Sequence, residues 1–236
     1  MAYVGLRSIL DRFQLAGMGT FTVRDVAKAM HKSTAYASMV LSTSKRVRRL
    51  ERGVYYIPGT SPYELASNIV YPSYVSLVAA LQYYELIDQN IIRYSVVTTK
   101  RHGSVRFEGG EIEFVTTSKE RIFGYLFHYN FYIASPEKTF IDCLYFGSPD
   151  FPQVESSFAS ALDDKLLDIK RLKDHATRMR SKSLINKLGF LLELNGVPAD
   201  DMLEHTYKGY VRINRDRDRN IKGVNRKWRI LYDRRK

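Results

Sequence analysis

"DVAKAMHKSTAYASMVLSTSKRVRRLERGVYYIP" (residues 25–58) holds two short helix-like stretches, a cluster of five cations and an apolar strand closed by proline. Just upstream, Thr22 stands where an N-cap would precede "VRDVAKAM", and Asp25 three residues on makes a relative of the capping box. Val23, Val26, Ala27 and Met30 form an apolar stripe at helical spacing. "HKS" is a turn, and Ser33 or Thr34 can cap a third helix over 34–43, with Ala35 and Met39 turned inward. Before this stretch, Leu6, Ile9, Leu10 and Phe13 predict a helix within 4–15. After it, "RVRRLE", "RG" and "VYYIP" predict a short hairpin turning near Gly53. Three helices followed by a basic hairpin is the order of a winged helix-turn-helix, expected over residues 1–60.

Charge is segregated along the chain. The 236 residues carry a formal net charge of +12. Residues 1–60 hold +7, residues 61–205 hold −4, and residues 206–236 hold +9. Basic ends around a mildly acidic middle point to a polyanionic partner, most often nucleic acid. No apolar run approaches eighteen residues, so a membrane span is not expected. The start, "MAYVGLRSILDRF", lacks the apolar core of a signal peptide. The single cysteine, Cys143, can form neither an internal disulfide nor a zinc cage, and a reducing cytoplasm is the expected setting.

Residues 61–236 read as a second, larger domain of mixed structure, so the expected class is α+β. Gly59, Pro62 and Pro72 mark a linker, and Ser76 can cap "SLVAALQYYELID". Strand-like runs with a hairpin at Gly109-Gly110 predict a small antiparallel sheet over 91–135. A helical half begins at Ser135-Pro136 and ends at Asn195-Gly196. In the basic segment beyond, "KWRILY" predicts a last strand, packed at the edge through Trp228, Ile230 and Leu231, with a flexible basic arm as the alternative.

On the winged-helix reading, the third helix enters the major groove and the hairpin lies along the phosphates. Lys32, Thr34, Tyr36 and Ser38 are the candidates for base readout. Ser33, Lys45, Arg46, Arg48, Arg49 and Arg52 are the candidates for phosphate contact, which supplies affinity and orientation without sequence readout. Arg215, Arg217, Arg219, Arg226 and Lys227 in the tail make a candidate second DNA contact. The third helix lacks long basic or amide side chains, so readout falls to hydroxyls and to apolar contact with thymine methyls.

Four stretches in order, spread over almost the whole chain, resemble the AbiEi family, the antitoxin and transcriptional-regulator component of type IV toxin–antitoxin systems. They are "STAY" with "RGVYYIPG", "YPSYVSLVAALQYYELI", "ASPEKTFIDCLY", and "NKLGFLLELNG" followed by "NRKWRILYD". The resemblance implies an N-terminal DNA-binding domain and a C-terminal domain used for antitoxicity. It implies repression of the protein's own two-gene promoter through inverted repeats, and so a dimer or cooperative pair on double-stranded DNA. It also implies a nucleotidyltransferase-like toxin encoded next door. The chain departs from the family at Ala37, where relatives often carry a basic residue.

Other chemistries find thin support. The five histidines are scattered, and no Walker, GxSxG or HExxH motif occurs. Glu111 and Glu113 alternate with Ile112 and Phe114, which places them on a solvent face. A metal-dependent nuclease using Asp150, Asp163 and Lys165 is one alternative, and an RNA-binding module stacking bases on tyrosine is another. The expected protein is not an enzyme and needs no cofactor or metal.

Overall fold

The computed structural model describes residues 5–214 and 223–232. The chain is α+β and divides into two compact units. The first takes the chain as far as Val75, then Ile91–Ser118 and Leu126–Ile133; the second takes Ser76–Asn90, Lys119–Tyr125 and the described chain from Ala134 onward. Residues 61–75 and two later segments therefore share a unit with residues 5–60.

In the first unit, α1 (Leu6–Leu15) buries Ile9 and Leu10. Strand β1 (Thr20–Thr22) leads directly into α2 (Val23–Met30). Both halves of the capping box form there: Thr22 Oγ1 accepts from the Asp25 N–H at 3.3 Å, and Asp25 Oδ2 accepts from the Thr22 N–H at 2.7 Å. His31, at φ 52°, ends α2 in the left-handed region. Helix α3 (Thr34–Thr43) begins at Ser33, whose Oγ accepts from the Tyr36 N–H at 3.2 Å. The hairpin of β2 (Arg48–Glu51) and β3 (Val54–Tyr56) then pairs with β1 in an antiparallel sheet of order β1-β3-β2. Gly53, at φ 82°, supplies the left-handed turn residue that a side chain would strain.

One expectation fails within α3. Ala35 is exposed and Met39 is 55% exposed, while Ala37 and Leu41 are buried in the core with Val26, Ala27 and Met30. The helix carries two apolar pairs at i, i+4, so spacing alone leaves its rotational phase open. Packing against α2 selects the Ala37 and Leu41 pair, which is 0% and 1% exposed.

The rest of the first unit contains α4 (Pro62–Ser67) and, apart from the end residues Tyr125 and Ala134, a six-stranded sheet. Its strands are β4 (Ser73–Val75), β5 (Arg93–Thr98), β6 (Val105–Phe107), β7 (Gly110–Thr116), β8 (Tyr125–His128) and β9 (Phe131–Ala134). Their order is β6-β7-β5-β4-β9-β8. The Gly109-Gly110 hairpin pairs β6 with β7 antiparallel, as the alternation predicts. The sheet is nevertheless mixed rather than antiparallel throughout: β5 runs parallel to β7, and β4 parallel to β9. The chain leaves β5, forms β6 on the far side of β7 and returns, and that crossover makes β7 parallel to β5.

The second unit is mostly helical: α5 (Leu77–Tyr83), α6 (Pro136–Phe146), α7 (Phe151–Asp163), α8 (Ile169–Arg178) and α9 (Lys182–Leu194). Helix α6 is its centre, with Glu137 through Leu144 all buried against α5, α7, α8 and α9. Pro136 at its first turn and the Ser135 hydroxyl, which accepts from the Lys138 N–H at 3.2 Å, start it as the sequence predicts. Strands β10 (Val211–Arg212), β11 (Gly223–Asn225) and β12 (Ile230–Tyr232) make a small sheet of order β10-β12-β11. The final strand is thus folded, but central rather than at an edge. Trp228 is fully buried.

Candidate nucleic-acid interface

Once Ala37 and Leu41 point into the core, the outward side of α3 is defined by exposed Thr34, Ala35, Ser38, Met39, Ser42 and Thr43. It is small, uncharged and rich in hydroxyls. Of the residues assigned to base readout, Lys32, Thr34 and Ser38 are exposed. Tyr36 is only partly exposed, because its ring packs against the helical core. Ser33 is exposed but its oxygen already accepts the Tyr36 N–H. Ser42 and Thr43 hydroxyls donate to the Met39 carbonyl at 2.9 and 3.1 Å, which satisfies them within the helix. The apolar spacing turns Met39 inward in the sequence, so its exposure on this side is a feature of the packed helix alone.

Lys45, Arg46, Arg48, Arg49 and Arg52 are all exposed around the β2–β3 hairpin. The apolar Val47 and Leu50 between them are buried, so the segment is anchored while its cations face water. The cations are not equivalent. Arg48 Nε lies 2.8 Å from Glu108 Oε2, and Arg49 Nε donates to the Glu51 carbonyl at 3.2 Å. Glu51 in turn faces His102 Nε2 at 3.1 Å. Through that contact the loop between β5 and β6 lies against the hairpin and carries exposed Lys100 and Arg101 with it. Exposed Arg106 joins Arg48 and Arg49 in lining a shallow cleft of about 520 Å³ beside β2. The sequence signal for this addition, "KRHGSVR", lay in a segment whose net charge is negative, and only the fold brings it to the hairpin.

The tail candidates divide. Arg215, Arg217 and Arg219 lie outside the described residues. Arg226 is exposed, whereas Lys227 is neutralised by Asp200 at 2.8 Å and Glu193 at 3.5 Å; the Asp200 hydrogen bond also holds its pKa above the usual lysine value.

The nuclease constellation does not assemble. Asp150 stands before the first turn of α7 and Asp163 ends it, so a 13-residue helix separates them by about 20 Å. Lys165 lies beyond the same end as Asp163. Among the described residues no three His, Cys, Asp or Glu side chains are grouped to hold a metal ion. Glu111 and Glu113 lie on the sheet surface with Arg93, at 4.0 and 3.6 Å.

The "SPEKTFID" motif is a buried polar network in the second unit. Lys138 and Asp142, one helical turn apart, are fully buried and paired, and Asp142 Oδ2 accepts from Ser76 Oγ at 2.8 Å. Ser76 therefore occupies the N-cap position of α5 without using its side chain as a cap. Glu137 accepts from Ser135 Oγ at 2.9 Å and from the Asp168 N–H at 3.1 Å. Burial pushes the Lys138 pKa down, while Asp142 works against that shift. Burial also raises the Cys143 thiol well above its ordinary value, which keeps it protonated and inert.

No protein-family model matches the chain, and no curated protein matches it. Among the described residues no helix is long and apolar enough to cross a membrane.

Proposed function

We propose that this protein is a cytoplasmic repressor that binds duplex DNA at its own promoter through an N-terminal winged helix-turn-helix. One observation carries the reading. The hydroxyl-rich outward side of α3 is followed at once by a hairpin whose apolar residues are buried and whose five cations are exposed. An α-helix fits the major groove, where Thr34 and Ser38 hydrogen-bond base edges and Met39 and Ala35 meet thymine methyls. Lys45, Arg46, Arg49 and Arg52 contact phosphates from the wing, and Lys100, Arg101 and Arg106 extend the positive field.

Substituting Arg48, Arg49 and Arg52 together with Ala weakens operator and random duplex binding alike. It flattens the slope of log affinity against log salt by about 0.9 for each lost phosphate contact. Arg48→Ala alone moves the slope least, because Glu108 already holds that guanidinium. Titrations from low to moderate salt check both statements. An unchanged slope in the triple variant would sink the wing assignment, and preferential competition by single-stranded RNA would favour the RNA-binding alternative.

The ordered resemblance to AbiEi antitoxins supports a second role: neutralising a nucleotidyltransferase-like toxin encoded next to this gene, by the second unit. Co-expression with the neighbouring gene tests it. Growth is expected to be restored by the full chain and by the wing variant alike, because antitoxicity is assigned away from the DNA surface. Toxicity unaffected by the full chain would remove the antitoxin role and leave the repressor reading standing.

A further inference from the structure

We propose that a cleft inside the first unit is a binding site for a small organic cation, an amine or guanidinium on an apolar body. The cleft lies among β1, α4 and the turn between β8 and β9, and its volume of about 430 Å³ is within the range of small-molecule sites. It is lined by two carboxylates, Glu64 and Asp25, two carboxamides, Asn68 and Asn130, and the rings of Phe21 and Phe127; among the described residues no Lys, Arg or His lines it.

Glu64 is only 7% exposed, and both of its protein hydrogen bonds, from the Gly19 and Thr20 N–H groups at 2.7 and 2.9 Å, fall on Oε1. Its second oxygen accepts from no described residue, and among the described residues no cation is paired with it. Burial accordingly raises the Glu64 pKa against the lowering effect of those two N–H groups. Thr20 supplies an independent sign. It lines the same cleft at 7% exposure, and its buried hydroxyl has no hydrogen-bond partner. Buried polar groups are nearly always satisfied, so an orphan hydroxyl beside an uncompensated carboxylate marks a place where a donor-bearing ligand would complete the bonding.

The local backbone is shaped to keep this arrangement. A Cβ on Gly19 would come within 2.4 Å of Thr60 Oγ1 and 3.0 Å of Glu64 Oε1, so a larger residue here would have to displace the Thr60 side chain that packs beside the carboxylate. The chemistry selects an organic ion over a metal, since the lining offers two carboxylates and no third acidic, histidine or cysteine ligand. The rings of Phe21, buried, and Phe127, 62% exposed, suit an apolar or aromatic body and the face of a cation.

Titrating the full chain with benzylamine, followed by amide NMR shifts, tests the site without reference to DNA. Saturable binding is expected, with shifts at Thr20, Glu64 and Asn130. Benzyl alcohol should bind at least about tenfold more weakly, and benzoate should not bind. Glu64→Gln should lower benzylamine affinity about tenfold or more. Thr20→Val, which removes the orphan hydroxyl at nearly constant volume, should weaken binding while leaving the melting temperature unchanged or higher, and it decides the matter if Glu64→Gln fails to fold. Absence of saturable shifts, equal binding of the alcohol, or wild-type affinity in the folded variants would overturn the proposal.

Discussion

Asp142→Ala destabilises the second unit by about 3–5 kcal/mol, the usual cost of removing one partner from a buried ion pair. The carboxylate is fully buried, pairs with the fully buried Lys138 and also accepts the Ser76 hydroxyl. Its removal takes the paired carboxylate from a fully buried ammonium, which also lies 5.0 Å from the Phe123 ring. That ring contact is far weaker than the lost pair. Lys138→Met in the same background removes the buried ammonium as well and is expected to recover much of the loss, because an apolar pair of similar volume is often neutral in such a site. Urea unfolding followed by fluorescence of Trp228, the only tryptophan in the chain, reads the second unit directly. A loss under about 1 kcal/mol for Asp142→Ala would show that the network is dispensable to the fold.

Trp228→Ala carries a cost of the same size, about 3–5 kcal/mol. The indole is fully buried and lies flush on Gly189 of α9, where a Cβ would come within 2.1 Å of Cζ3. Its Nε1–H donates to Glu193, and Asn186 Nδ2 donates to the Trp228 carbonyl at 2.7 Å while Asn186 Oδ1 accepts from the Tyr207 N–H at 2.7 Å. One side chain on α9 thus ties two points of the C-terminal segment to the helix. Gly189→Ala should destabilise by the opposite fault, overpacking, since the clashing partner is a rigid ring rather than the tip of a flexible side chain. A chain ending near Tyr207 should melt at a lower temperature than the whole protein for the same reason as Trp228→Ala. Calorimetry or circular dichroism checks all three; an unchanged melting temperature in the truncated chain would contradict the packed tail.

Within the described residues, the features legible in the sequence are those closed by bonds over three or four residues. Thr22 with Asp25, Ser33, and Ser135 with Pro136 start their helices where the side chains predict. Gly53 and Gly109-Gly110 turn their hairpins, and the stripe of Val26, Ala27 and Met30 faces inward. Each depends on local hydrogen bonds, backbone sterics or periodicity, all of which a short window contains. The tertiary structure alone decided the phase of α3, the parallel pairing of β5 with β7, the engagement of Ser76 by Asp142 instead of its own helix, and the approach of His102 and Glu108 to the hairpin. In those cases several local arrangements are nearly equal in energy. The choice among them rests on which partner, distant in sequence, removes more apolar surface from water or satisfies a buried polar group.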